Sequence, residues 1–454
     1  MGFLDEKYLL ENEEACDLYG EVRNFPVLDA HNHGDVKEIV DNEGWDNIWE
    51  VEGATDHYVW ELMRRCGVEE EKITGKASDR EKWQALAQVF PRLAGNPTYE
   101  WIHLDLKRRF DIQEEISGET AKVIWEKSSA LLGEEKMKPQ NLLREMNVEI
   151  MCTTDDPASG LGYHKRAREE VSGVQILPTW RPDRGMNIEQ DTWKDFLLEL
   201  EETFSVSIKN LDDYLQVLKK SHDFFDEMGC VASDHGITRP AVYPVGKKKA
   251  ARIFEKRVNA EKLTATEVRD FKAFMMVYFG ELNEQSGWVT QLHIGAVRDY
   301  RDKLFCELGK DSGGDISTND LELAENMKPF FNRFDGEMPI VLYFLDPVLE
   351  PTMTVIARAF PNVFLGAPWW FNDSPYGIAR HLEYIGSVDL LSNHAGMVTD
   401  SRKLMSYDSR TEVFRRTACN VLGKMVNRGQ MSREIAVSLL KDISYETPRK
   451  IYFS

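Results

Sequence analysis

From Val148 onward the chain repeats one pattern: a short apolar run ends in polar or ionisable residues, and a longer segment with apolar positions at helical spacing follows. Val148-Glu149-Ile150-Met151-Cys152 runs into Thr153-Thr154-Asp155-Asp156, and Val174-Gln175-Ile176-Leu177-Pro178-Thr179-Trp180 runs into Arg181-Pro182-Asp183-Arg184. Gly229-Cys230-Val231-Ala232 ends at Ser233-Asp234-His235, and Trp288-Val289-Thr290-Gln291-Leu292 ends at His293. Pro339 to Leu345 ends at Asp346, Asn362 to Gly366 at Ala367-Pro368-Trp369-Trp370, and Gly396-Met397-Val398 at Thr399-Asp400-Ser401-Arg402. One further run lies far upstream, where Pro26-Val27-Leu28-Asp29 ends in Ala30-His31-Asn32-His33. Eight such runs alternating with helical segments predict an α/β fold, a (β/α)8 barrel of the TIM type. An open doubly wound sheet would ordinarily carry a glycine-rich phosphate loop, and no such loop follows any of these runs.

Two stretches interrupt the rhythm. Residues 35–147 have helical spacing, many tryptophans and no convincing strand, which predicts a mostly helical insertion after strand one, covering the barrel mouth. The barrel itself then comprises 1–34 and 148–454. Residues 236–263 read as a second excursion, after strand four, with Lys247-Lys248-Lys249 as solvated surface. Thr264-Ala265-Thr266-Glu267 is a capping box and predicts the start of a long helix.

Composition narrows the classes of function. The chain has 454 residues, 42% hydrophobic and 29% charged, with 11 tryptophans, which is ample material for a packed core. A net charge of -21 disfavours nucleic acid and anionic membrane as partners, and an anionic small molecule would need a local cluster of arginines. The six cysteines show no C-x-x-C pair and read as reduced thiols. With no signal-peptide pattern and no apolar run of membrane length, a cytoplasmic protein is expected.

The chemistry begins at the first strand. Side chains i and i+2 of a strand point the same way, so His31 and His33 face one point. Barrel closure sets strand eight beside strand one and adds Asp400, and His-x-His plus Asp is an open donor set for a divalent cation. His235 and His293, at the ends of strands four and five, enter as further ligands or substrate hydrogen-bonders. For His57 and the other histidines a structural role is expected.

This constellation resembles the amidohydrolase superfamily of barrels. With Asp56-His57-Tyr58-Val59-Trp60, Thr153 to Pro157, Pro178 to Asp183, Leu292-His293-Ile294-Gly295-Ala296, Ala367-Pro368-Trp369-Trp370-Phe371 and Thr399-Asp400-Ser401-Arg402, it is similar, in family order and over nearly the whole chain, to the uronate isomerase family. Gly34-Asp35-Val36 departs from the Leu and nearby Pro that many relatives carry there. Strand four also lacks the bridging lysine common in two-metal hydrolytic members, so one divalent ion, zinc, is the expected cofactor. The resemblance implies interconversion of D-glucuronate with D-fructuronate and of D-galacturonate with D-tagaturonate, by proton transfer through an enediol.

In that chemistry His31, His33 and Asp400 hold the metal, and Asp400 or Tyr58 moves the proton. Arg402, two residues past Asp400 on an extended strand, pairs with an oxyanion or keeps Asp400 ionised. Arg181 and Arg184 grip the substrate carboxylate, His235 and His293 bond the substrate, and Trp369 offers it a ring face. A metal-dependent hydrolase of the same superfamily is the alternative. The expected partners are small-molecule uronate sugars, and a homo-oligomer is compatible with the chain.

Overall fold

The computed structural model describes residues 2–453. Seven strands, β1 (Val27–Asp29), β2 (Val148–Asp155), β3 (Gln175–Trp180), β4 (Ala232–Ile237), β5 (Val289–Ile294), β8 (Ile340–Phe344) and β9 (Val363–Leu365), make one curled parallel sheet in the order β1-β2-β3-β4-β5-β8-β9. Two residue pairs, β6 (Ala296–Val297) and β7 (Ile316–Ser317), form a separate antiparallel ladder just beyond β5. The main strands alternate with helices, an α/β arrangement consistent with a TIM-like barrel. β5 and β8 are buried at every position, as expected of parallel strands covered on both faces.

The eighth run departs from expectation: Gly396 to Val398 joins no ladder. Segment 395–401 nevertheless bonds to both edges of the sheet. Ala395 N donates to the Leu365 carbonyl at 2.9 Å, Asp400 N to that of His31 at 3.1 Å, and His33 N to that of Ser401 at 2.9 Å. The backbone cannot stay extended here, because φ is +89° at Gly396 and +48° at Asp400. Side chains do part of the work instead: the buried Asp29 carboxylate accepts from Thr399 N at 3.0 Å and from Thr399 Oγ1 at 2.6 Å.

Between β1 and β2 the chain is helical throughout, from Val36–Asp41 to Pro139–Glu145. Its apolar faces meet in a cluster that includes Trp49, Trp83, Phe90, Ile102 and Leu142, and the cluster continues into Val148 and Met151 of β2 and into Leu404 and Tyr407. The expected capping box is present: Thr264 and Glu267 bond reciprocally at the start of the helix Ala265–Ser286. The helix Ser406–Asn427 follows segment 395–401 and is buried over most of its length. Among the described residues no helix is long and apolar enough to cross a membrane.

Candidate active site

The C-terminal ends of the strands open into two adjoining cavities of about 440 and 850 Å³, which share Arg181, Asp183, Asn187, Gln190, Arg298 and Asp299 and so form one cleft. At its floor, His31 Nε2 lies 3.1 Å and His33 Nε2 3.2 Å from Asp400 Oδ1. The other Asp400 oxygen, Oδ2, faces the Tyr58 hydroxyl at 3.5 Å. Burial would raise the Asp400 carboxyl, but the hydrogen bonds from His31 and His33 outweigh it and hold the group well below its ordinary range. Asp400 adopts its left-handed φ in the manner of residues over-determined by a functional site.

A second buried carboxylate lies behind the first. Asp234 is fully buried; His293 Nδ1 stands 2.6 Å from Oδ1, while Arg181 Nη1 and His31 Nδ1 stand 3.2 and 3.7 Å from Oδ2. Burial opposes its ionisation, yet Arg181, then His293 and His31, win and keep it anionic. Burial also lowers His293 to about 4, so its imidazole is neutral, stacked on Tyr343 at 4.4 Å. His31 Nδ1, His293 Nε2 and Asp234 Oδ2 are buried without a hydrogen-bond partner.

Donor atoms of His31, His33 and Asp400 all lie within 4.8 Å of one another, and so do those of His31, Asp234 and His293. Two neutral-capable imidazoles and a carboxylate at this spacing fit a divalent cation, while the unpartnered His31 Nδ1 and His293 Nε2 belong to the second set, with Asp234.

The arginines divide by how much of each fork is free. Arg181 bridges Asp234 and Asp183, with Nε 3.1 Å from Asp183 Oδ2, and leaves only part of its guanidinium for the cleft. Arg184 lines the cleft but spends Nη1 and Nη2 on Glu199, at 2.7 and 2.9 Å. Arg402 lines it as well, 3.7 Å from Asp311. Asp400 leaves the extended conformation, so strand alternation does not govern the pair, yet Asp400 and Arg402 both line the smaller cavity. Arg298, Lys310 and Asp311 reach the cleft from the segment between β5 and β8, and the Arg298 guanidinium sits over the Trp370 ring at 4.3 Å.

Two expectations need correction. His235 does not face the substrate: its Nε2 is 2.7 Å from Ser233 Oγ and its ring stacks on Phe279 of the helix Ala265–Ser286. The physical reason is strand parity, since Asp234 takes the inward position and its neighbours must point out. His57 is not merely structural packing, for it stacks on Tyr58 at 4.7 Å and lines the cleft. Trp369 is buried against His293, edge to face at 4.7 Å, and lines the larger cavity, whereas Trp370 lines the smaller one. Asp234 and Arg298 were not expected as site residues: the same parity would have found Asp234, and nothing in the local pattern marks Arg298.

An α/β enzyme with a His-x-His strand end, an opposed aspartate able to share a metal and a cation-lined cleft is thereby defined. The chain belongs to the glucuronate isomerase family, whose model, described as "Glucuronate isomerase", matches residues 1–453. It is 58% identical over 451 residues to the uronate isomerase of Thermotoga maritima, covering 99% of this chain and 100% of that one. The crystal structure of uronate isomerase from Thermotoga maritima superposes with a TM-score of 0.98 at 58% identity, covering 100% of both chains. That of glucuronate isomerase from Caulobacter crescentus superposes with a TM-score of 0.95 at 25% identity, covering 99% of this chain and 97% of that one. These matches do not favour the hydrolase alternative.

Proposed function

We propose that the cleft isomerises uronates between aldose and ketose, D-glucuronate with D-fructuronate and D-galacturonate with D-tagaturonate, by proton transfer through an enediol. The observation that carries this reading is the meeting of Asp400 Oδ2 with the Tyr58 hydroxyl at 3.5 Å, beside a cation-lined cleft, in a chain of the glucuronate isomerase family. The architecture proposed is a (β/α)8 barrel of residues 1–34 and 148–454, with 35–147 as the helical insertion that carries Tyr58 to the mouth and 236–263 as a second excursion.

Net isomerisation moves one hydrogen from C2 to C1 and one from O2 to O1. Asp400 takes the C2 proton, exchanges it with solvent, and delivers a proton to C1 on the same face. Tyr58 gives its proton to O1 as the aldehyde becomes an enediol hydroxyl and recovers one from O2; burial and the nearby Asp400 raise its pKa well above the ordinary value, so the phenol starts protonated. His293, neutral with Nδ1–H on Asp234, offers its Nε2 lone pair to a substrate hydroxyl. Arg181, Arg298 and Arg402 hold the anionic substrate, and Arg184 adds positive charge at the rim. His31, His33 and Asp400 would hold one divalent ion, zinc by donor preference, whose Lewis acidity would stabilise the negative charge developing on the substrate oxygens.

Proton NMR of the purified protein with D-glucuronate in deuterated water tests the proposal. Ketose carrying solvent deuterium at C1 is the expected result. Ketose without deuterium refutes exchange through Asp400 or Tyr58, and no ketose from folded, metal-loaded protein refutes the activity.

A further inference from the structure

One group of buried charges touches neither the cleft nor the surface. The Lys403 ammonium is 1% exposed and lies 3.0 Å from Glu52 Oε2 and 3.2 Å from Asp56 Oδ2. Glu52 and Asp56 belong to the helical stretch 35–147, while Lys403 follows Asp400 by three residues. Three ions removed from water are a poor device for stability, because desolvation offsets most of their attraction. Their placement therefore asks for another reason.

Asp56 supplies it. While Oδ2 meets Lys403, Oδ1 accepts from the Tyr58 backbone N–H at 2.9 Å and caps the helix His57–Arg65. On the other side, Lys403 N donates to Ser401 Oγ at 3.1 Å, Ser401 Oγ donates to the Lys403 carbonyl at 3.0 Å, and the Ser401 carbonyl accepts from His33 N. Hydrogen bonds on either side, joined by the Lys403–Asp56 ion pair at 3.2 Å, thus connect the segment carrying Asp400 to the backbone of Tyr58. Arg410 closes the same corner, donating to the Thr399 carbonyl at 2.7 Å with its guanidinium 5.2 Å from the Tyr58 ring centre. Asp105 stands near this group, and burial and then Glu52 raise its carboxyl well above the usual range.

We propose that Lys403 is a positioning residue: acting through Asp56, it sets where the Tyr58 hydroxyl stands against Asp400 Oδ2, and so sets the rate of proton transfer without touching the substrate. This rests on the reading of Tyr58 as a proton-transfer group. A rigid tie matters because a displacement of about 1 Å at a reacting pair costs on the order of a hundredfold in rate.

The test is a set of double-mutant cycles on the metal-loaded full chain with D-glucuronate. Lys403→Met removes the tie but strands two buried carboxylates; Asp56→Asn is the second probe, since asparagine keeps the cap on Tyr58 N–H and turns an amide towards Lys403. Each variant is expected to lower kcat about 10-fold or more with KM within about twofold. In a Tyr58→Phe background neither is expected to lower kcat further, whatever its effect on melting temperature. Losses that add to that of Tyr58→Phe, or that appear only in melting temperature, overturn the positioning role alone. Should Tyr58→Phe retain full kcat, the proton-transfer reading falls and the positioning role falls with it.

Discussion

Asp234→Asn separates what the buried carboxylate does for the fold from what it does for the site. The side chain is fully buried with His293 Nδ1 at 2.6 Å, Arg181 at 3.2 Å and His31 Nδ1 at 3.7 Å. Asparagine fills the same volume, so no cavity opens and the loss is one of charge. Breaking a buried pair costs about 3–5 kcal/mol, and because Arg181 keeps Asp183 at 3.1 Å the lower end, about 3 kcal/mol, is expected. Burial raises the Asp234 carboxyl, but Arg181, His293 and His31 together carry it well below its ordinary 3.8. Its ionised form therefore contributes stability above that ordinary value and loses it only as pH falls through the lower, folded one. The wild-type advantage should be flat between about pH 5 and pH 8 and narrow only in stronger acid.

The same substitution reaches the chemistry through His293. Asp234 can only accept, which fixes the proton on Nδ1 and leaves Nε2 a lone pair for the cleft. An asparagine amide can donate to Nδ1 instead, and the tautomer that turns Nε2 into a donor then competes. Losing one oriented hydrogen bond amounts to about 1–3 kcal/mol, or roughly 5- to 160-fold in kcat/KM. Urea unfolding across that pH range, with kcat/KM for D-glucuronate, measures both effects. Unchanged stability together with kcat/KM within about threefold would refute the reasoning, because Asp234 would then be neither anionic nor the group that orients His293.

Other expectations follow from the same geometry. Arg184→Ala should change kcat/KM by less than about threefold and stability by less than about 1 kcal/mol, because its fork is spent on a half-exposed Glu199; a large rise in KM in steady-state assays would return Arg184 to the substrate grip. Gly313→Ala forces a side chain where φ is +91° and places Cβ 2.7 Å from Glu61 Cγ, whose carboxylate holds Gly314 N–H at 2.8 Å. The segment that brings Lys310 and Asp311 to the cleft should shift, raising KM about fivefold or more, and an unaltered KM would show that the loop yields freely. Burial raises Asp373 to about 7, so its ionisation costs the folded state stability as pH rises towards and through about 7. Asp373→Asn should be more stable than wild type at about pH 8, by at most about 4 kcal/mol, and equal to it in acid; the same deficit at both pH values would mean that Asp373 is already ionised against Arg410.

How far the fold can be read from the chain depends on which forces write a local pattern. A strand such as β8 is covered on both faces, so it appears as an unbroken apolar run bounded by polar residues, and its position is legible. Gly396 to Val398 carries the same kind of run but is held by Asp29 and by isolated backbone bonds to both sheet edges. Apolar spacing reports burial there and says nothing of the left-handed turn at Asp400. Parity is legible in principle: Ser233 and His235 share a face, so Asp234 must occupy the other, and treating the strand-four histidine as the inward group overlooks that alternation. Arg298 lies beyond periodicity altogether, on a chain segment placed by β6, β7 and the Glu61 contact to Gly314.

The pairing of Tyr58 with Asp400 shows what such a long helical stretch can contribute to a site at the strand ends. The two residues are 342 positions apart, and the strand ends alone offer carboxylates, imidazoles and guanidiniums but no phenol over Asp400. A group that keeps its proton at neutral pH has to approach from outside the ring of strand ends, and it has to arrive without mobility. The helix His57–Arg65 meets both needs: its first turn is capped by Asp56, which is tied to Lys403, and further along Glu61 and Arg64 hold the segment around Ser312 and Gly314. Under the proposed mechanism the same helix bears on both proton transfer and substrate access. Loosening its first turn should fall on kcat, whereas loosening its hold on residues 312–314 should fall on KM, and a substitution at either end that moved both equally would show that the helix shifts as one body.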